Sequence, residues 1–298
     1  MSSFKLRQAQ ERDVAAIVSL VAALDVALLG STDYTLADLR EEWRETQAAD
    51  RFVAEGPDGA MVGYGTIEVE PERGRADAYV HPEQFGRGVG AFLVAELEQL
   101  LAARGVTRVR NAVLIADERA QALLRDHGYE EIRRFWQMRI ELPREPRSPV
   151  WPAGVTVTRF ELSDAEEFHA VYESAFADHW QHERKSFEEW RAAYIDVDDF
   201  SPELWAVACA GGEIVAGTIG RPERMGVAWI ARLFTRSDWR RRGLGEALLY
   251  DAFGTFAAMG KRTVGLGVDA QSDTGAQRLY ERAGMHVHWG AVVFEKTL

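Results

Sequence analysis

The chain has 298 residues, of which 47% are hydrophobic, and its formal net charge is −12. Because a single hydrophobic core stops growing at about 250–300 residues, this length predicts two globular domains. The negative charge disfavours nucleic acid and anionic lipid as partners. No run of about 18 apolar residues predicts a membrane span, and the first residues lack the layout of a signal peptide, so we expect a cytoplasmic protein.

The first half of the sequence alternates strand and helix patterns. Asp13 precedes an apolar helical run, as a helix-capping residue does. The Pro-Asp-Gly sequence at 57–59 stands between two apolar runs and predicts the turn of a hairpin. In chain order, the predicted elements are a strand at 4–7, a helix from 13, a helix at 36–46, a hairpin at 52–54 and 61–64, a strand at 76–81, a helix at 89–104, a strand at 109–115, a helix at 120–126 and a strand at 135–142.

The second half repeats this order. Five pairs of Asp and Gly positions recur about 155 residues apart, among them Gly88 with Gly243 and Gly128 with Gly284. The elements predicted for this half are a strand at 155–159, helices at 164–176 and 187–194, a hairpin at 205–210 and 214–219, a strand at 228–235, a helix at 244–259, a strand at 262–268, a helix at 275–283 and a strand at 286–295. The two halves are therefore predicted to share one topology.

A polar stretch with three prolines joins the two halves at residues 142–149. Proline fixes φ and favours extended backbone, so this composition predicts a semi-rigid linker. We therefore predict a first domain at 1–142, a linker at 143–154 and a second domain at 155–298.

The turn that follows the strand ending at Thr235 carries the most informative motif of the chain. It runs through three arginines, Arg240 to Arg242, into Gly243, Leu244 and Gly245, where an apolar helix begins. Backbone N–H groups at the start of a helix are unpaired and carry partial positive charge, which suits an anion. Glycines let a bulky anion approach the backbone, and arginines add donors for phosphate oxygens. The pattern predicts a diphosphate-binding loop.

Two motifs in this half resemble those of the GCN5-related N-acetyltransferase (GNAT) superfamily. The loop Arg240-x-x-Gly243-x-Gly245 resembles that family's coenzyme A loop. Downstream, the segment 273–285 resembles its second motif, in which an Asn or Asp precedes a helix that ends in Leu-Tyr-Glu-x-x-Gly. The matching residues here are Asp273, Ala276, Leu279, Tyr280, Glu281, Gly284 and Met285. The doubled arrangement is similar to the tandem acetyltransferases of mycothiol synthase type.

The resemblance implies an α/β (α+β) fold with two tandem GNAT-like acyl-CoA N-acyltransferase domains, each a mixed sheet flanked by helices. In such a domain the parallel fourth and fifth strands splay around acetyl-CoA. Tyr280 would act as the general acid that protonates the leaving thiolate. The residues that the resemblance assigns to the coenzyme are Leu233, Phe234, Thr235, Arg240, Arg241, Arg242, Gly243, Leu244, Gly245, Glu246, Asp273 and Ala276 in the second half, and Arg87, Gly88, Val89 and Gly90 in the first.

The general base is the point at which this sequence departs from the family pattern. Family members often carry a Glu on the strand before the loop, whereas residues 228–234 contain no carboxylate. The segment before the second helix of this half usually forms a wall of the acceptor site. It offers Asp178, His179, His182 and Glu183, of which we select His179 as the catalytic base.

The first half keeps the loop glycines but departs from the family at two positions. Phe85 stands where the family has Arg or Gln, and Leu124 stands in the position of Tyr280. Leucine donates no proton, so we expect a degenerate copy that retains coenzyme A binding at most. Asp77, on the strand before this loop, is either a base or an exposed strand carboxylate.

The predicted function is transfer of an acetyl group from acetyl-CoA to a primary amine of a small molecule, in the second domain. One alternative is a coenzyme A sensor without turnover, and another is an acetyltransferase acting on proteins or peptides. We expect no nucleic acid or membrane partner and a monomer or homodimer. We also expect no metal, because the His-rich segments at 179–183 and 286–288 lack the spacing of a zinc-binding helix.

Overall fold

Strands and helices follow one another in the order that the sequence predicts. The computed structural model describes residues 4–70, 73–180, 182–272 and 274–298. In chain order the elements are β1 (Lys5–Gln8), α1 (Val14–Leu29), α2 (Leu36–Glu45), β2 (Arg51–Glu55), β3 (Met61–Glu70), β4 (Arg73–Val80), α3 (Val89–Ala102), β5 (Arg108–Leu114), α4 (Glu118–Asp126), β6 (Glu130–Glu141), β7 (Val155–Arg159), α5 (Ala165–Phe176), α6 (Phe187–Tyr194), β8 (Ala206–Ala210), β9 (Glu213–Arg224), β10 (Val227–Thr235), α7 (Leu244–Ala258), β11 (Thr263–Asp269), α8 (Ala276–Arg282) and β12 (His286–Thr297).

The strand β3 extends well beyond the predicted 61–64. Its buried stretch ends at Ile67, but antiparallel pairing with β4 continues through Glu68 opposite Arg75 and Glu70 opposite Arg73. Opposite charges facing each other across a ladder stabilise the pairing. The alternation of Ile67 and Val69 with Glu68 and Glu70 is the sequence signal that indicates this longer strand.

The structure divides into two compact units. The first contains the chain up to Phe135 together with Trp289–Leu298. Its strand order is β1-β2-β3-β4-β5, with the end of β12 antiparallel to β5. β4 and β5 are parallel and pair only from Arg73↔Arg108 to Arg75↔Arg110. Among the described residues, β4 then continues to Val80 without a further β5 partner, so the two strands splay.

The second unit, Trp136–His288, is built in the same way. Its strand order is β6-β11-β10-β9-β8-β7. The parallel pairing of β10 with β11 runs only from Ala228↔Val264 to Ile230↔Leu266. A register shift between Ile230 and Arg232 marks a bulge in β10 at this point. Bulges bend and twist a strand. The later part of β10 therefore departs from β11, as the family resemblance implies for the strands around acetyl-CoA.

The two units divide the chain differently from the predicted boundaries. The end of β6 lies in the second unit, where Met138 and Leu142 join the buried core. The end of β12 lies in the first unit, where Val292 and Phe294 are completely buried. A strand has the same apolar pattern whichever sheet accepts it. The sequence therefore contains no signal for this exchange.

Helices pack on both faces of each sheet. In the first unit, α1 and α2 share a core with β2 and β3 through Ile17, Leu39, Val53 and Tyr64. Helix α3 packs with Leu93 and Leu97 on the other face. Successive side chains of a strand point to opposite faces, so both faces acquire an apolar layer.

We expect Gly217→Ala to lower the free energy of unfolding by about 2 kcal/mol. A Cβ atom on Gly217, in β9, would lie 2.5 Å from the Phe168 ring and 2.9 Å from the Phe234 ring. Both rings are buried, so neither moves freely. Urea denaturation measures the effect. Gly254→Ala in α7 is the control, because a Cβ there meets nothing within 4 Å and alanine favours a helix. Equal stability of the two variants would contradict the packing argument.

Candidate active site

The turn between β10 and α7 has a conformation that favours anion binding. Arg241 has φ of 60° and Gly243 has φ of 87°, and α7 begins at Leu244. The first N–H groups of α7 have no intrahelical acceptor and carry partial positive charge. The first unit repeats this backbone, with φ of 73° at Gly86 and 87° at Gly88. Arg241 thus holds a left-handed conformation where the other copy has glycine, at a cost of about 1 kcal/mol.

The second glycine of each loop is a helix-packing position. A Cβ atom on Gly245 would lie 3.2 Å from Leu279 Cδ2, and one on Gly90 would lie 2.9 Å from Leu123 Cδ2. The absence of a side chain lets α7 approach α8, and α3 approach α4. The close packing of the helices therefore explains why glycine stands at this second position, independently of the predicted approach of an anion.

The three loop arginines differ in what they contact. Arg240 donates to the carbonyl of Ala175 at 2.8 Å and to that of Thr235 at 3.4 Å. Arg242 donates to the carbonyl of Asp238 at 2.9 Å and stacks over Trp239, with 4.5 Å between its guanidinium carbon and the ring centroid. Both guanidinium groups therefore brace the turn. Arg241 is exposed and has no hydrogen-bond or ion-pair partner among the described residues.

Tyr280 lies on α8, in the same buried cluster as Phe234 of β10 and Val268 of β11. Its side chain is 7% exposed, and its hydroxyl makes no hydrogen bond with any described residue. Burial raises the pKa of Tyr280 to about 12, so the phenol keeps its proton at neutral pH. The corresponding helix of the first unit, α4, carries the buried Leu124 instead.

The start of α8 is described only in part. Asp273 lies outside the described residues, and Ala276 is the first residue of the helix. In the first unit, Asp117 stands before α4 and its carboxylate accepts a hydrogen bond from the Ala120 N–H at 3.0 Å. Such a cap stabilises a helix start.

His179 is placed by the turn that follows α5. Its imidazole is partly buried, and the centre of its ring lies 4.6 Å from that of Phe176. Burial lowers the pKa of His179, and the positive charge of Arg240 lowers it further, whereas Asp269 raises it. The ring is therefore neutral at pH 7 and able to accept a proton.

The other three base candidates have different surroundings. His182 Nε2 lies 2.8 Å from Glu173, which is almost completely buried, and this partner fixes the ring. Asp178 and Glu183 are exposed. Of the two histidines, His182 is held by a carboxylate, whereas His179 is the one whose pKa is lowered by burial and by the Arg240 charge.

The side chain of Arg232 is a site feature that sequence reasoning missed. Its Nε donates to the hydroxyl of Tyr172 on α5 at 3.2 Å, and its guanidinium carbon lies 5.6 Å from the centre of the Tyr194 ring on α6. In the sequence, the segment of β10 stands out only by its lack of a carboxylate. That this arginine meets two tyrosines from separate helices depends on helix packing, for which the sequence offers no signal.

A second group of polar side chains lies in the first unit, between β4 and the helix α2. We call Glu42, Asp77, Tyr34, Tyr64 and Tyr79 the acid–tyrosine cluster. The Tyr34 hydroxyl donates to Glu42 at 3.0 Å, and the rings of Tyr64 and Tyr79 stack with 5.9 Å between centroids. Asp77 is 9% exposed, so the alternative of an exposed strand carboxylate is wrong. Burial raises the pKa of Glu42 to about 7, with a further contribution from Asp77.

We expect Glu42→Gln to raise the free energy of unfolding by about 1–2 kcal/mol at pH 8. Between about pH 4.5 and 7, folded Glu42 keeps a proton that the unfolded chain has lost, so the stability of the native protein falls as the pH rises. Glutamine stays neutral and still accepts from Tyr34. Urea denaturation at pH 5 and pH 8 measures the difference, with Asp126→Asn at an exposed position as control. A variant with the native pH dependence would contradict this assignment.

Two further features bear on the predicted partners. Within the described ranges, no three His, Cys, Asp or Glu side chains are grouped in a way that would hold a metal ion. The same residues include no helix with the length and apolarity needed to cross a bilayer.

Comparison of the sequence with known families and proteins gives consistent matches. The profile of the acetyltransferase (GNAT) family matches residues 20–129 and 165–285, one region in each half. The chain is 27% identical to a mycothiol acetyltransferase from a Parafrankia species, over 98% of this chain and 97% of that protein. It is 30% identical to a mycothiol acetyltransferase from Clavibacter michiganensis, over 78% of this chain and 75% of that protein.

Solved structures show the same relationship. A GCN5-related N-acetyltransferase from Sphaerobacter thermophilus superposes with a TM-score of 0.89 and 32% identity, over 99% of this chain and 95% of that one. A tandem GNAT protein from the clavulanic acid biosynthesis pathway shares the fold, with a TM-score of 0.76 and 16% identity over 100% and 98% of the two chains. These matches confirm the family resemblance and the fold class predicted from the two motifs. The chain therefore belongs to the acetyltransferase (GNAT) family and is an acetyl-CoA-dependent N-acetyltransferase with two family regions.

Proposed function

We propose that the second unit transfers the acetyl group of acetyl-CoA to a primary amine of a small-molecule acceptor. The observation that carries this proposal is the Tyr280 hydroxyl, a protonated and nearly buried donor without a hydrogen-bond partner among the described residues. With no acceptor among the described residues, this hydroxyl can donate its proton to a ligand. In the first unit a leucine at this position removes the donor.

The proposed coenzyme site uses backbone groups more than side chains. The N–H groups at the start of α7 and the exposed Arg241 would hold the diphosphate. Leu233, Phe234 and Thr235 lie on the part of β10 that has left β11, so their backbone would pair with the pantetheine arm as an added strand does. Arg240 and Arg242 would keep the turn in shape, because their donors are already directed to protein carbonyls.

The acetyl thioester supplies the carbonyl that the amine attacks. His179 is neutral at pH 7 and would accept the proton that the acceptor ammonium must lose. Tyr280 would donate its proton to the sulfur as the carbon–sulfur bond breaks. A backbone N–H of β10 would stabilise the oxyanion of the tetrahedral state. The nitrogen loses its second proton as the amide forms, which restores the phenol of Tyr280, and His179 passes its proton to water.

The names of the relatives suggest the first acceptor to test. Two of them are mycothiol acetyltransferases, so we propose a mycothiol-type amine as the acceptor. The strand β10 carries Arg232 and no carboxylate. An acceptor site beside this strand would therefore differ in charge from that of family members with a glutamate there. An acceptor panel must therefore also include other amines.

A thiol-release assay tests the proposal directly. Purified protein with acetyl-CoA is offered a mycothiol-type amine, an aminoglycoside and a short peptide in separate reactions. We expect release of the coenzyme A thiol that depends on a small-molecule amine and yields the N-acetyl product. Tight acetyl-CoA binding without transfer to any of these amines would favour a sensor, and transfer to the peptide alone would favour a protein acetyltransferase. Either outcome would overturn the proposal.

A further inference from the structure

Arg232 of β10 is a cation without a counter-ion among the described residues. Its Nε donates to the Tyr172 hydroxyl at 3.2 Å, and its Nη1 donates to the carbonyl of Ala231 at 2.7 Å. Its Nη2 has no acceptor in the described part of the chain, and no carboxylate there forms an ion pair with this side chain. Both acceptors that it does reach are neutral, so the described protein does not balance the charge of the guanidinium.

The guanidinium of Arg232 lies in an open recess of the second unit. The side chain is exposed to solvent, yet burial is the largest influence on its pKa and lowers it. These two observations agree when protein surrounds the group on several sides and leaves one side open. Tyr194 and Tyr172 act against burial and raise the pKa above its usual value, so the charge is kept. A partly desolvated cation without a counter-ion gains free energy when an anionic ligand binds it.

Ring contacts connect Arg232 with His179, the proposed base. The ring of Tyr172, whose hydroxyl accepts from Arg232, has its centre 4.8 Å from that of Phe176, and the Phe176 centre lies 4.6 Å from that of His179. Phe234 is two residues after Arg232 on β10 and therefore points to the same face of the sheet, where its ring centre lies 5.8 Å from that of Tyr172. The guanidinium and the imidazole thus belong to one wall, formed by α5, the turn after it and the later part of β10.

The fold by itself does not require an arginine at this place. Asp77 precedes Gly88 by the same number of residues as Arg232 precedes Gly243. The first unit therefore has an acidic side chain where the second unit has a basic one. Because the same fold accepts either charge, the positive charge in the second unit needs another reason, and recognition of an anion supplies one.

We propose that Arg232 is a specificity-determining residue that binds an acidic group of the acceptor, so that the second unit favours amines that also carry a carboxylate over neutral amines of the same size. This inference rests on the proposed transfer in the second unit and names the substrate class more closely. A guanidinium presents parallel N–H donors that match the two oxygens of a carboxylate, and such charge-assisted bonds are strong. With its acid at Arg232, the acceptor would direct its amine along the wall toward His179.

Calorimetric titration of the full chain, saturated with coenzyme A, tests this preference without turnover. The probes are L-phenylalanine and L-phenylalaninamide, each up to about 10 mM at about pH 7, below the usual pKa of an α-amino group. They share the ring and the amine, and only the first carries a negative charge. We expect the Kd of phenylalanine to be at least about tenfold lower than that of the amide. Absence of phenylalanine binding, or equal affinity for the two probes, would overturn the proposal.

Three variants show whether Arg232 causes the preference. We expect Arg232→Gln to raise the Kd of phenylalanine at least about tenfold and to leave that of the amide unchanged. Arg191→Gln is the matched control, because it removes the same charge from an exposed ion pair with Asp196 on α6 and should leave both Kd values unchanged. A native preference in Arg232→Gln, or an equal loss of affinity for both probes, would contradict the assignment. Should that variant fail to fold, Arg232→Asp decides, because the first unit has an aspartate at this place and the preference should then reverse.

The preference and the transfer reaction can fail separately. If no amine supports release of the coenzyme A thiol, the proposed function is wrong, whereas the titration still measures whether Arg232 selects an acid. If transfer occurs but the two probes bind equally well, only the role of Arg232 is overturned.

Discussion

Tyr280→Phe is expected to lower kcat by about 100-fold or more while the protein still binds acetyl-CoA. Phenylalanine keeps the ring that fills the space in the core and removes only the hydroxyl. Because that hydroxyl has no partner among the described residues, its removal breaks no internal hydrogen bond. The free energy of unfolding should therefore stay the same or rise slightly. Steady-state kinetics and a binding titration with acetyl-CoA measure the two effects separately.

The matched control is the equivalent position of the first unit. Leu124 is buried, so Leu124→Met preserves the core volume better than a truncation to alanine would. We expect native kcat for this variant. A Tyr280→Phe protein with native turnover would remove the phenol from the mechanism, and equal losses in both variants would indicate a general structural effect instead.

Gly243→Asp is expected to raise the KM and Kd for acetyl-CoA by about 100-fold, because it places a negative charge at the proposed diphosphate site. Asp and Asn both tolerate the left-handed conformation that this position requires, where φ is 87°. Gly243→Asn therefore has the same shape without the charge. The difference between the two variants measures the electrostatic effect alone, by titration with acetyl-CoA. Equal affinities would contradict diphosphate binding at this turn.

The same pair of substitutions at Gly88 shows whether the first unit binds coenzyme A. Gly88 has the same φ of 87° and also precedes a helix. If only the second unit binds the coenzyme with measurable affinity, Gly88→Asp should have native kinetics and native stoichiometry. A loss of one bound equivalent with unchanged turnover would instead show a second, non-catalytic coenzyme site, as the retained Arg87-Gly88-Val89-Gly90 sequence predicts.

The loops and their glycines were predictable because their cause is local. A positive φ before a helix favours glycine whatever the rest of the fold does, so Gly88 and Gly243 identify the two turns in the sequence. The strand before each turn and the helix after it have strong apolar patterns, and the repeat of these patterns predicted two units of one topology.

The roles of individual charged side chains in and around the loop were less predictable. The pattern predicted three phosphate-binding arginines, but Arg240 and Arg242 contact carbonyls of their own unit and only Arg241 is unpartnered among the described residues. A sequence shows that a guanidinium is present near a turn. Which acceptor it reaches depends on where α5 ends, which is decided by the packing of that helix.

Local rules thus account for the family, the two loops and the position of Tyr280, since each follows from a few consecutive residues with a required backbone conformation. Tertiary packing decided which sheet receives the ends of β6 and β12 and which charges meet at Asp77, Glu42 and Arg232. The physical reason is that burial and Coulomb interactions depend on distances between segments far apart in the chain. Only the folded arrangement sets those distances.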